Sequence, residues 1–96
     1  MRLYFRPQAE GDLIRIYDHI AEDSPINAAN YIDRLEKLCQ LLTEQPRMGK
    51  HRTELRPEGI YSFPADDYLI FYQIGNDVLE IVSIIHGSRD YQAFVS

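Results

Sequence analysis

Two apolar segments in the second half of the chain, joined by a short polar turn, constrain the fold most strongly. Residues 68–74 read Tyr-Leu-Ile-Phe-Tyr-Gln-Ile, and residues 78–85 read Val-Leu-Glu-Ile-Val-Ser-Ile-Ile. The run Gly75-Asn76-Asp77 between them predicts a hairpin of two β-strands. Both segments place apolar side chains on both faces of the strand, and such strands are normally covered on both sides. The hairpin therefore needs a packing layer on each face.

Two amphipathic helices are predicted upstream of this hairpin. Apolar residues with helical i, i+3, i+4, i+7 spacing in the first helix are Leu13, Ile16, Tyr17 and Ile20. Pro7 suits its first turn, and Asp23-Ser24-Pro25 ends it. Ser24 is then the N-cap of a second helix that should run to about Glu44. One face of that helix carries Ala28, Ile32, Leu35, Cys39 and Leu42. The short connection makes the two helices antiparallel neighbours.

The remaining segments complete an α+β domain. Residues 2–6 alternate as a short strand, and Leu55 with residues 60–63 indicates another strand, before a turn at Pro64 and Asp66-Asp67. The order predicts an N-terminal strand, an antiparallel two-helix hairpin and then a three-stranded, mainly antiparallel sheet, in one domain over residues 1–96. The first strand either joins the sheet away from the hairpin strands or pairs with the last strand.

One face of this sheet is expected to stay open. Two helices can cover only one side of a sheet whose strands are apolar on both sides. The other side then needs a partner protein, a short C-terminal segment or a groove. The sequence therefore favours a domain that binds another polypeptide.

The net charge is −5 and is unevenly distributed. Residues 8–36 hold seven acidic and two basic side chains, a local charge of −5. Residues 47–56 hold four basic side chains and one acidic side chain, a local charge of +3. A nucleic-acid enzyme usually carries a broad basic face, whereas the basic surface here is confined to one loop and its flanks. This distribution weighs against tight, non-specific RNA binding.

Several absences predict a cytoplasmic protein without cofactors. Cys39 is the only cysteine, which excludes an internal disulfide and fits a reducing cytosol. The sequence has no run of about 18 apolar residues and no apolar core of signal-peptide length near its start, so no membrane segment is expected. It also lacks a glycine-rich phosphate loop and any Cys/His metal spacing. We expect no metal and no cofactor.

The basic loop is the first candidate for a binding site. Its members are Arg47, Lys50, His51, Arg52 and Arg56. Such a cluster can hold a phosphate backbone or an acidic protein partner. The alternative is a solvated loop that balances the acidic helices. The sign of the cluster is opposite to that of the rest of the chain, and this favours binding.

The second candidate is the run from His86 to Tyr91 at the end of the last predicted strand, His-Gly-Ser-Arg-Asp-Tyr. His86 could act as an acid or base, and Arg89 could stabilise a phosphate. The alternative is a turn in which Arg89 and Asp90 pair with neighbours and close the sheet. No second titrating partner is evident in the sequence, so the turn is the stronger of the two interpretations.

Three other reactive or aromatic positions have structural interpretations. Cys39 lies on the apolar stripe of the second helix and is expected to be a buried thiol. His19 lies near the end of the first helix, where a surface or capping position is expected. Tyr61 and the aromatic residues of segment 68–72 are expected to belong mostly to the core.

Several motifs, taken in order, resemble the ParE/RelE superfamily of small bacterial toxins. The residues that carry the resemblance are Ala9, Asp12-Leu13, 16–20, Pro46 with Gly49, Leu55-Arg56, Ser62-Phe63, 68–72 and 86–90. The first-helix residues and the Pro-x-x-Gly loop are similar to the ParE branch. The resemblance covers nearly the whole chain and depends on order and spacing more than on any one motif.

The resemblance implies two possible activities. ParE-like members are described as poisons of DNA gyrase, with roles in plasmid stabilisation, and RelE-like members as ribosome-dependent mRNA nucleases. Both are held inactive by a cognate antitoxin that lays an extended or helical segment across the toxin. The acidic net charge favours the ParE branch, because it makes a ribosomal RNA-docking surface less favourable.

The leading hypothesis is therefore a toxin that binds and inhibits DNA gyrase without turnover and that forms a hetero-oligomer with its antitoxin. The expected target-binding residues are Arg56, Tyr61, His86 and Arg89. One alternative is a metal-independent mRNA endonuclease that uses Arg56, His86 and Arg89. A further alternative is a degenerate protein that binds an antitoxin and has no toxicity.

Overall fold

The computed structural model describes residues 1–89, so Asp90 and Tyr91 of the predicted terminal motif lie outside the described residues. The elements, in chain order, are β1 (Arg2–Phe5), α1 (Pro7–Ala21), α2 (Pro25–Glu44), β2 (Lys50–His51), β3 (Ile60–Ala65), β4 (Tyr68–Ile74) and β5 (Val78–His86). A short 3-10 turn, Pro46–Met48, lies between α2 and β2. No helix within residues 1–89 is long and apolar enough to cross a membrane. The predicted α+β class, both helices and the hairpin of β4 and β5 are confirmed.

The sheet has five strands in the order β1-β5-β4-β3-β2, one more than the predicted N-terminal strand and three later strands. β1 pairs in parallel with β5, from Arg2 opposite Val78 to Phe5 opposite Ile81. The other three pairings are antiparallel. The parallel pair is possible because the two helices form the crossover that parallel strands require. Of the two predicted positions for β1, the one beside the last strand is correct. β2 was not predicted.

The helix pair covers one face of the sheet and forms the main core with it. Ser24 Oγ accepts a hydrogen bond from the Asn27 N–H at 3.2 Å, as the predicted N-cap of α2. The buried residues of this core include Ala9, Ile16, Leu35, Cys39, Leu42, Ile70, Tyr72, Leu79, Ile81 and Ile84. Cys39 is fully buried, which confirms the expected buried thiol, and this burial raises the pKa of the thiol to about 12. His19 is exposed, as expected.

The second face of the sheet is not open, contrary to the sequence-based expectation. Phe71, Val82 and Ile85 lie on this face and are buried, and Leu55 and Ile60 are buried with them in a second core. Leu55 was predicted to begin a strand but lies in the segment between β2 and β3. A loop residue thus helps to cover a face that the helices cannot reach, so the open-face reasoning was wrong for the described residues.

The β3–β4 turn also differs from the prediction, which placed Pro64 in it. Pro64 belongs to β3 and lies opposite Leu69 of β4. β2 pairs only with the first part of β3, so the missing Pro64 N–H breaks no bond on the outer edge. The turn itself is Asp66-Asp67, and Asp66 adopts a left-handed φ of 55°. Arg34 of α2 donates to Asp66 Oδ2 at 3.2 Å and ties the turn to the helix pair.

Candidate functional site

Tyr61 lies in a row of three aromatic rings that crosses β2, β3 and β4. Its ring stacks on His51 at a centroid distance of 4.8 Å and on Tyr72 at 5.6 Å. Arg47 donates to Tyr61 Oη at 2.7 Å. The row runs from the buried Tyr72 through the partly buried Tyr61 to the exposed His51. It therefore holds the start of the basic loop against the sheet.

Tyr72 anchors the inner end of this row through its hydroxyl. Tyr72 Oη donates to the Pro46 carbonyl at 2.7 Å and accepts the Gly49 N–H at 3.0 Å. Burial raises the pKa of the Tyr72 hydroxyl, so it stays protonated and can donate. Gly49 is required because a Cβ there would collide with Tyr72 Oη and lie 2.7 Å from the Ser62 carbonyl. The Pro-x-x-Gly motif thus shapes the entry to β2.

The basic loop divides into a buried part and an exposed part. Arg52 is buried and donates to Ser62 Oγ at 3.0 Å and to Glu54 Oε2 at 2.8 Å. The pKa of Glu54 is lowered because its own backbone N–H and the Arg52 guanidinium stabilise the carboxylate. Arg52 therefore supports the sheet, and the exposed arginines and lysine of the loop are Arg47, Lys50 and Arg56. Arg56 also donates to the carbonyls of Thr53 and Leu55, at 3.2 and 3.1 Å.

His86 and Arg89 line a pocket between α1 and the ends of β4 and β5, which we call the α1–β5 pocket. It has a volume of about 580 Å³ and is lined by Asp12, Arg15, Ile16, His19, Tyr68, Ile84, Ile85, His86 and Arg89. The His86 ring meets the edge of the Tyr68 ring at 5.4 Å. Ser88 contacts His86 Nδ1 with both its hydroxyl (2.7 Å) and its N–H (3.2 Å). The turn after β5 therefore fixes the orientation of the imidazole.

Asp12 forms the inner wall of the α1–β5 pocket and was missed as a functional residue. It is only 6% exposed; one carboxylate oxygen accepts the Ile84 N–H at 2.9 Å and the other pairs with Arg15. The sequence carries a signal for it, because Asp12 lies on the same helical stripe as Ala9 and Ile16. An acidic residue on an apolar stripe indicates a specific buried partner.

The four predicted target-binding residues fall into two separate regions. Tyr61 lies opposite Tyr72 of β4, whereas His86 lies opposite Tyr68 at the other end of the same strand. Four residues of strand correspond to about 13 Å, before the spacing between β3 and β5 is added. Arg56 lines a pocket with His51 and Glu58, which contains neither His86 nor Arg89. The structure thus joins His86 with Arg89 and separates both from Arg56 and Tyr61.

An apolar groove at the β1 edge is a further surface that the sequence did not reveal; we call it the β1 groove. It has a volume of about 550 Å³ and is lined by Leu3, Tyr4, Phe5, Glu10, Leu13, Ile14, Tyr17, Ile32 and Glu36. Tyr4, Ile14 and Tyr17 are 49%, 62% and 37% exposed. Adjacent exposed apolar residues of this size mark an interaction surface. The sequence places Tyr17 on the apolar stripe of the first helix, whereas in the structure Tyr17 lines the β1 groove.

The described residues offer no evident metal site. No three His, Cys, Asp or Glu side chains within residues 1–89 are grouped closely enough to hold an ion. The predicted target-binding residues in the two regions are two arginines, a histidine and a tyrosine. These side chains suit binding by hydrogen bonds, charge and aromatic contact.

Comparison with known proteins gives the family. Residues 3–91 match the family model described as the ParE toxin of the type II toxin–antitoxin system parDE. The chain belongs to the ParE toxin family. This family membership confirms the predicted resemblance to the ParE branch of the ParE/RelE superfamily and makes the chain a toxin of ParE type.

Individual relatives agree with this family assignment. The chain is similar to Toxin ParE3 of Caulobacter vibrioides, with 27% identity over 84 residues, 86% of this chain and 83% of that protein. The structure of a chromosomal ParDE system from P. aeruginosa superposes with a TM-score of 0.76 at 20% identity. The YoeB–YefM complex from Staphylococcus aureus gives 0.60 at 16% identity. Each of these two matches covers 90% of this chain and 95% of the other, and shows a shared fold.

Proposed function

We propose that this ParE family member inhibits DNA gyrase by binding it, and that a cognate antitoxin holds it inactive in a hetero-oligomeric complex in the cytoplasm. Inhibition would be stoichiometric, through trapping of a topoisomerase complex. Family membership supports the toxin role, and the exposed β1 groove is the observation that supports a protein partner. The similar ParDE structure is that of a chromosomal TA system, and a further similar structure, at 16% identity and a TM-score of 0.58, is a heterotetrameric YoeB–YefM toxin–antitoxin complex from Staphylococcus aureus.

The β1 groove is the proposed docking site of the antitoxin. Arg2 and Arg6 donate their N–H groups to the carbonyls of Asp77 and Ile81. Alternate residues of a strand direct their backbone groups to opposite edges, so those of Leu3 and Phe5 point outward. No other strand within residues 1–89 pairs with this outer edge. An extended antitoxin segment can therefore add to the sheet there and place apolar side chains in the groove.

The charge of the β1 groove indicates which side chains that antitoxin segment should carry. Glu10 and Glu36 lie at the β1 groove, within the acidic region of the two helices. A segment with alternating apolar residues flanked by lysine or arginine complements this surface. We therefore expect a basic flank on the part of the antitoxin that reaches β1.

The separation of the two basic regions supports binding over RNA cleavage. A nuclease needs an acid, a base and a charge-stabilising group around one scissile phosphate, each within hydrogen-bond reach. His86 and Arg89 share the α1–β5 pocket, but Arg56 lies in a different pocket. The set proposed for an mRNA endonuclease therefore does not converge in the structure.

Three measurements test the proposed function. Expression without the antitoxin should stop growth, and the purified chain at micromolar excess should inhibit supercoiling by gyrase. Primer extension on translated mRNA should show no position-specific cuts. Growth arrest with such cuts, lost in Arg56→Ala or Arg89→Ala, would establish the endonuclease instead. Normal growth with intact antitoxin binding would establish a non-toxic relative.

A pair of variants tests the antitoxin site itself. Ile14→Arg places a positive charge in the β1 groove and should weaken antitoxin binding at least tenfold, because it removes an apolar contact and repels the basic flank expected on the antitoxin. Ile26→Arg is the matched control, since Ile26 is 75% exposed on α2 and does not line the groove. Equal affinity of both variants for the antitoxin would place its binding elsewhere.

A further inference from the structure

The sheet ends at β2 in an edge that is both unpaired and basic. Four exposed residues, which we call the β2 edge, lie there: Arg47, Lys50, His51 and Arg56. No other strand within residues 1–89 pairs with the outer side of β2. An unpaired strand edge can pair with a further chain. A basic surface and a site for strand pairing therefore coincide at this end of the sheet.

The arginines of the β2 edge are held in place by uncharged groups. Arg47 donates to Tyr61 Oη at 2.7 Å. Arg56 donates to the carbonyls of two loop residues, at 3.2 and 3.1 Å. These contacts orient the guanidinium groups without neutralising them, and each guanidinium has five N–H donors. Because the side chains are already ordered, less entropy is lost when an anion binds.

The acidic residues near the β2 edge leave an excess of positive charge. Residues 47–58 hold four basic and two acidic side chains, a charge of +2. Glu54 pairs with the buried Arg52 at 2.8 Å, and Lys50 acts on this carboxylate more weakly, without an ion pair. Glu58 is then the one acid that faces the three exposed cations. Within residues 1–89, no carboxylate forms an ion pair with any of the three. This excess favours a partner that carries acidic groups.

The backbone of β2 indicates that this partner is a polypeptide. The Arg52 N–H donates to the Ile60 carbonyl of β3 at 2.8 Å. Because backbone groups alternate along a strand, the N–H and C=O of His51 point to the outer side. An extended peptide can both donate and accept there, whereas the phosphodiester backbone of a nucleic acid has acceptors only. The charge of −5 on the whole chain also disfavours a long nucleic acid.

An added strand would reach cations on both faces of the sheet. The His51 ring stacks on Tyr61, and Arg47 bonds to Tyr61 Oη on that face. Lys50 precedes His51 in β2, so its side chain points to the opposite face. Neighbouring side chains of the added strand also point to opposite faces. Two adjacent acids in the partner can therefore meet Arg47 and Lys50 at the same time.

We propose that the β2 edge binds an extended acidic segment of the toxin's protein target, which adds to the sheet beside His51. The β1 groove lies at the other end of the strand order, four strand spacings or about 19 Å away. The groove carries Glu10 and Glu36, so partners of opposite charge are directed to opposite edges of the sheet. The preference for an acidic peptide rests on the β2 edge itself, whereas its assignment to the target rests on the proposed function.

A peptide titration tests the β2 edge without reference to toxicity. The probes are Ac-Glu-Glu-Glu-NH2, the neutral Ac-Gln-Gln-Gln-NH2, and the acidic peptide with its central backbone nitrogen methylated. Binding is followed by 1H–15N NMR of the purified chain. The acidic peptide should shift the His51 amide, with affinity at least about tenfold above that of the neutral peptide. Methylation removes a backbone donor and keeps the charge, so it should weaken binding about fivefold.

Two outcomes of the titration contradict the proposal. Equal affinities of the acidic and neutral peptides would show that the β2 edge does not select acidic segments. Equal affinities of the methylated and unmethylated acidic peptides would show that charge alone holds the peptide, without strand addition.

Neutral variants locate the binding. Arg47→Gln and Lys50→Gln should each weaken binding of the acidic peptide about three- to fivefold. Lys37→Gln is the matched control and should leave it unchanged, because Lys37 is exposed on α2 and pairs with Asp33. Urea unfolding checks that all three variants fold. A thymidine tetranucleotide also carries three negative charges; tighter binding of this probe than of the acidic peptide, at the same residues, would assign the edge to nucleic acid instead.

A charge reversal then separates the target from the antitoxin. Lys50→Glu should reduce gyrase inhibition at least fivefold and leave antitoxin affinity unchanged. Unchanged gyrase inhibition, with or without a loss of antitoxin affinity, would overturn the assignment to the target. If the wild-type chain does not inhibit gyrase at all, the proposed function fails, while the peptide titration still decides whether the β2 edge binds acidic segments.

Discussion

Asp12→Ala is expected to destabilise the domain, because Asp12 completes a part of β5 that lacks a neighbouring strand. β1 pairs with β5 only as far as Ile81, whereas β5 continues to His86. Beyond Ile81, no strand within residues 1–89 lies on that side of β5. The Ile84 N–H points there and donates to Asp12 Oδ2 at 2.9 Å. A helix side chain thus takes the place of a strand carbonyl.

The expected loss of stability follows from the Ile84 N–H, which has no acceptor in the Asp12→Ala variant. Alanine leaves a buried donor without an acceptor, and the lost bond is one to a charged group. Such losses cost about 2–3 kcal/mol in the free energy of unfolding. For a domain of this size, that corresponds to a fall in Tm of roughly 10–20 °C.

Asp12→Asn is the matched control. Its side-chain carbonyl can still accept the Ile84 N–H, and only the charge that pairs with Arg15 is removed. Because the Arg15 side chain is 68% exposed, the lost ion pair should cost no more than about 1 kcal/mol. The alanine variant should therefore be clearly less stable than the asparagine variant.

Urea unfolding followed by far-ultraviolet circular dichroism measures both free energies. Amide hydrogen exchange at Ile84 gives a local readout, since this amide should exchange faster in the alanine variant and not in the asparagine variant. Equal losses of stability in the two variants, or a loss below about 1 kcal/mol for alanine, would refute the assigned role of the Ile84–Asp12 bond.

Two further predictions concern Gly49 and Cys39. Gly49→Ala should destabilise the domain by about 1–3 kcal/mol, because the new methyl group would collide with Tyr72 Oη and the Ser62 carbonyl. Gly11→Ala in α1 is the control: its methyl group would make only an ordinary contact, so it should stabilise the domain by about 0.5–1 kcal/mol. Urea unfolding of both variants measures the two free energies. Cys39 should not react with a thiol reagent at pH 8 until the chain unfolds, because burial raises its pKa to about 12. The thiol ionises at a lower pH in the unfolded chain than in the folded one, so the free energy of unfolding should fall between about pH 9 and 12. Cys39→Ala should make this fall smaller. Rapid labelling of the folded chain would contradict the assigned burial.

The secondary structure was largely predictable because its signals are local. Ser24 and Pro25 mark the start of α2, and the Gly75-Asn76-Asp77 turn separates two strands of regular length. These features depend on backbone preferences within a few residues. Pro64 shows the limit of such reasoning, because proline is tolerated in a strand only where the outer edge is open, and the sequence does not show which edge that is.

The candidate sites were only partly predictable. His86 and Arg89 are close in sequence and were grouped correctly in one place, although their proposed role awaits experiment. Arg52 was grouped with the basic loop but is buried against Ser62. Asp12 and Arg15 belong to the same pocket as His86, yet more than seventy residues separate them in the chain, so no local pattern connects them.

The sequence by itself determined the two helices, the β4–β5 hairpin, the family and the uneven charge, because each of these depends on neighbouring residues. Only the tertiary structure decided that β1 lies beside β5, that Leu55 covers part of the second sheet face, and that the exposed apolar surface is the β1 groove. Whether a residue is buried depends on which distant segments contact it. Those contacts are determined by strand pairing and packing across the whole chain. An amphipathic pattern shows that a face must be covered, but not which segment covers it.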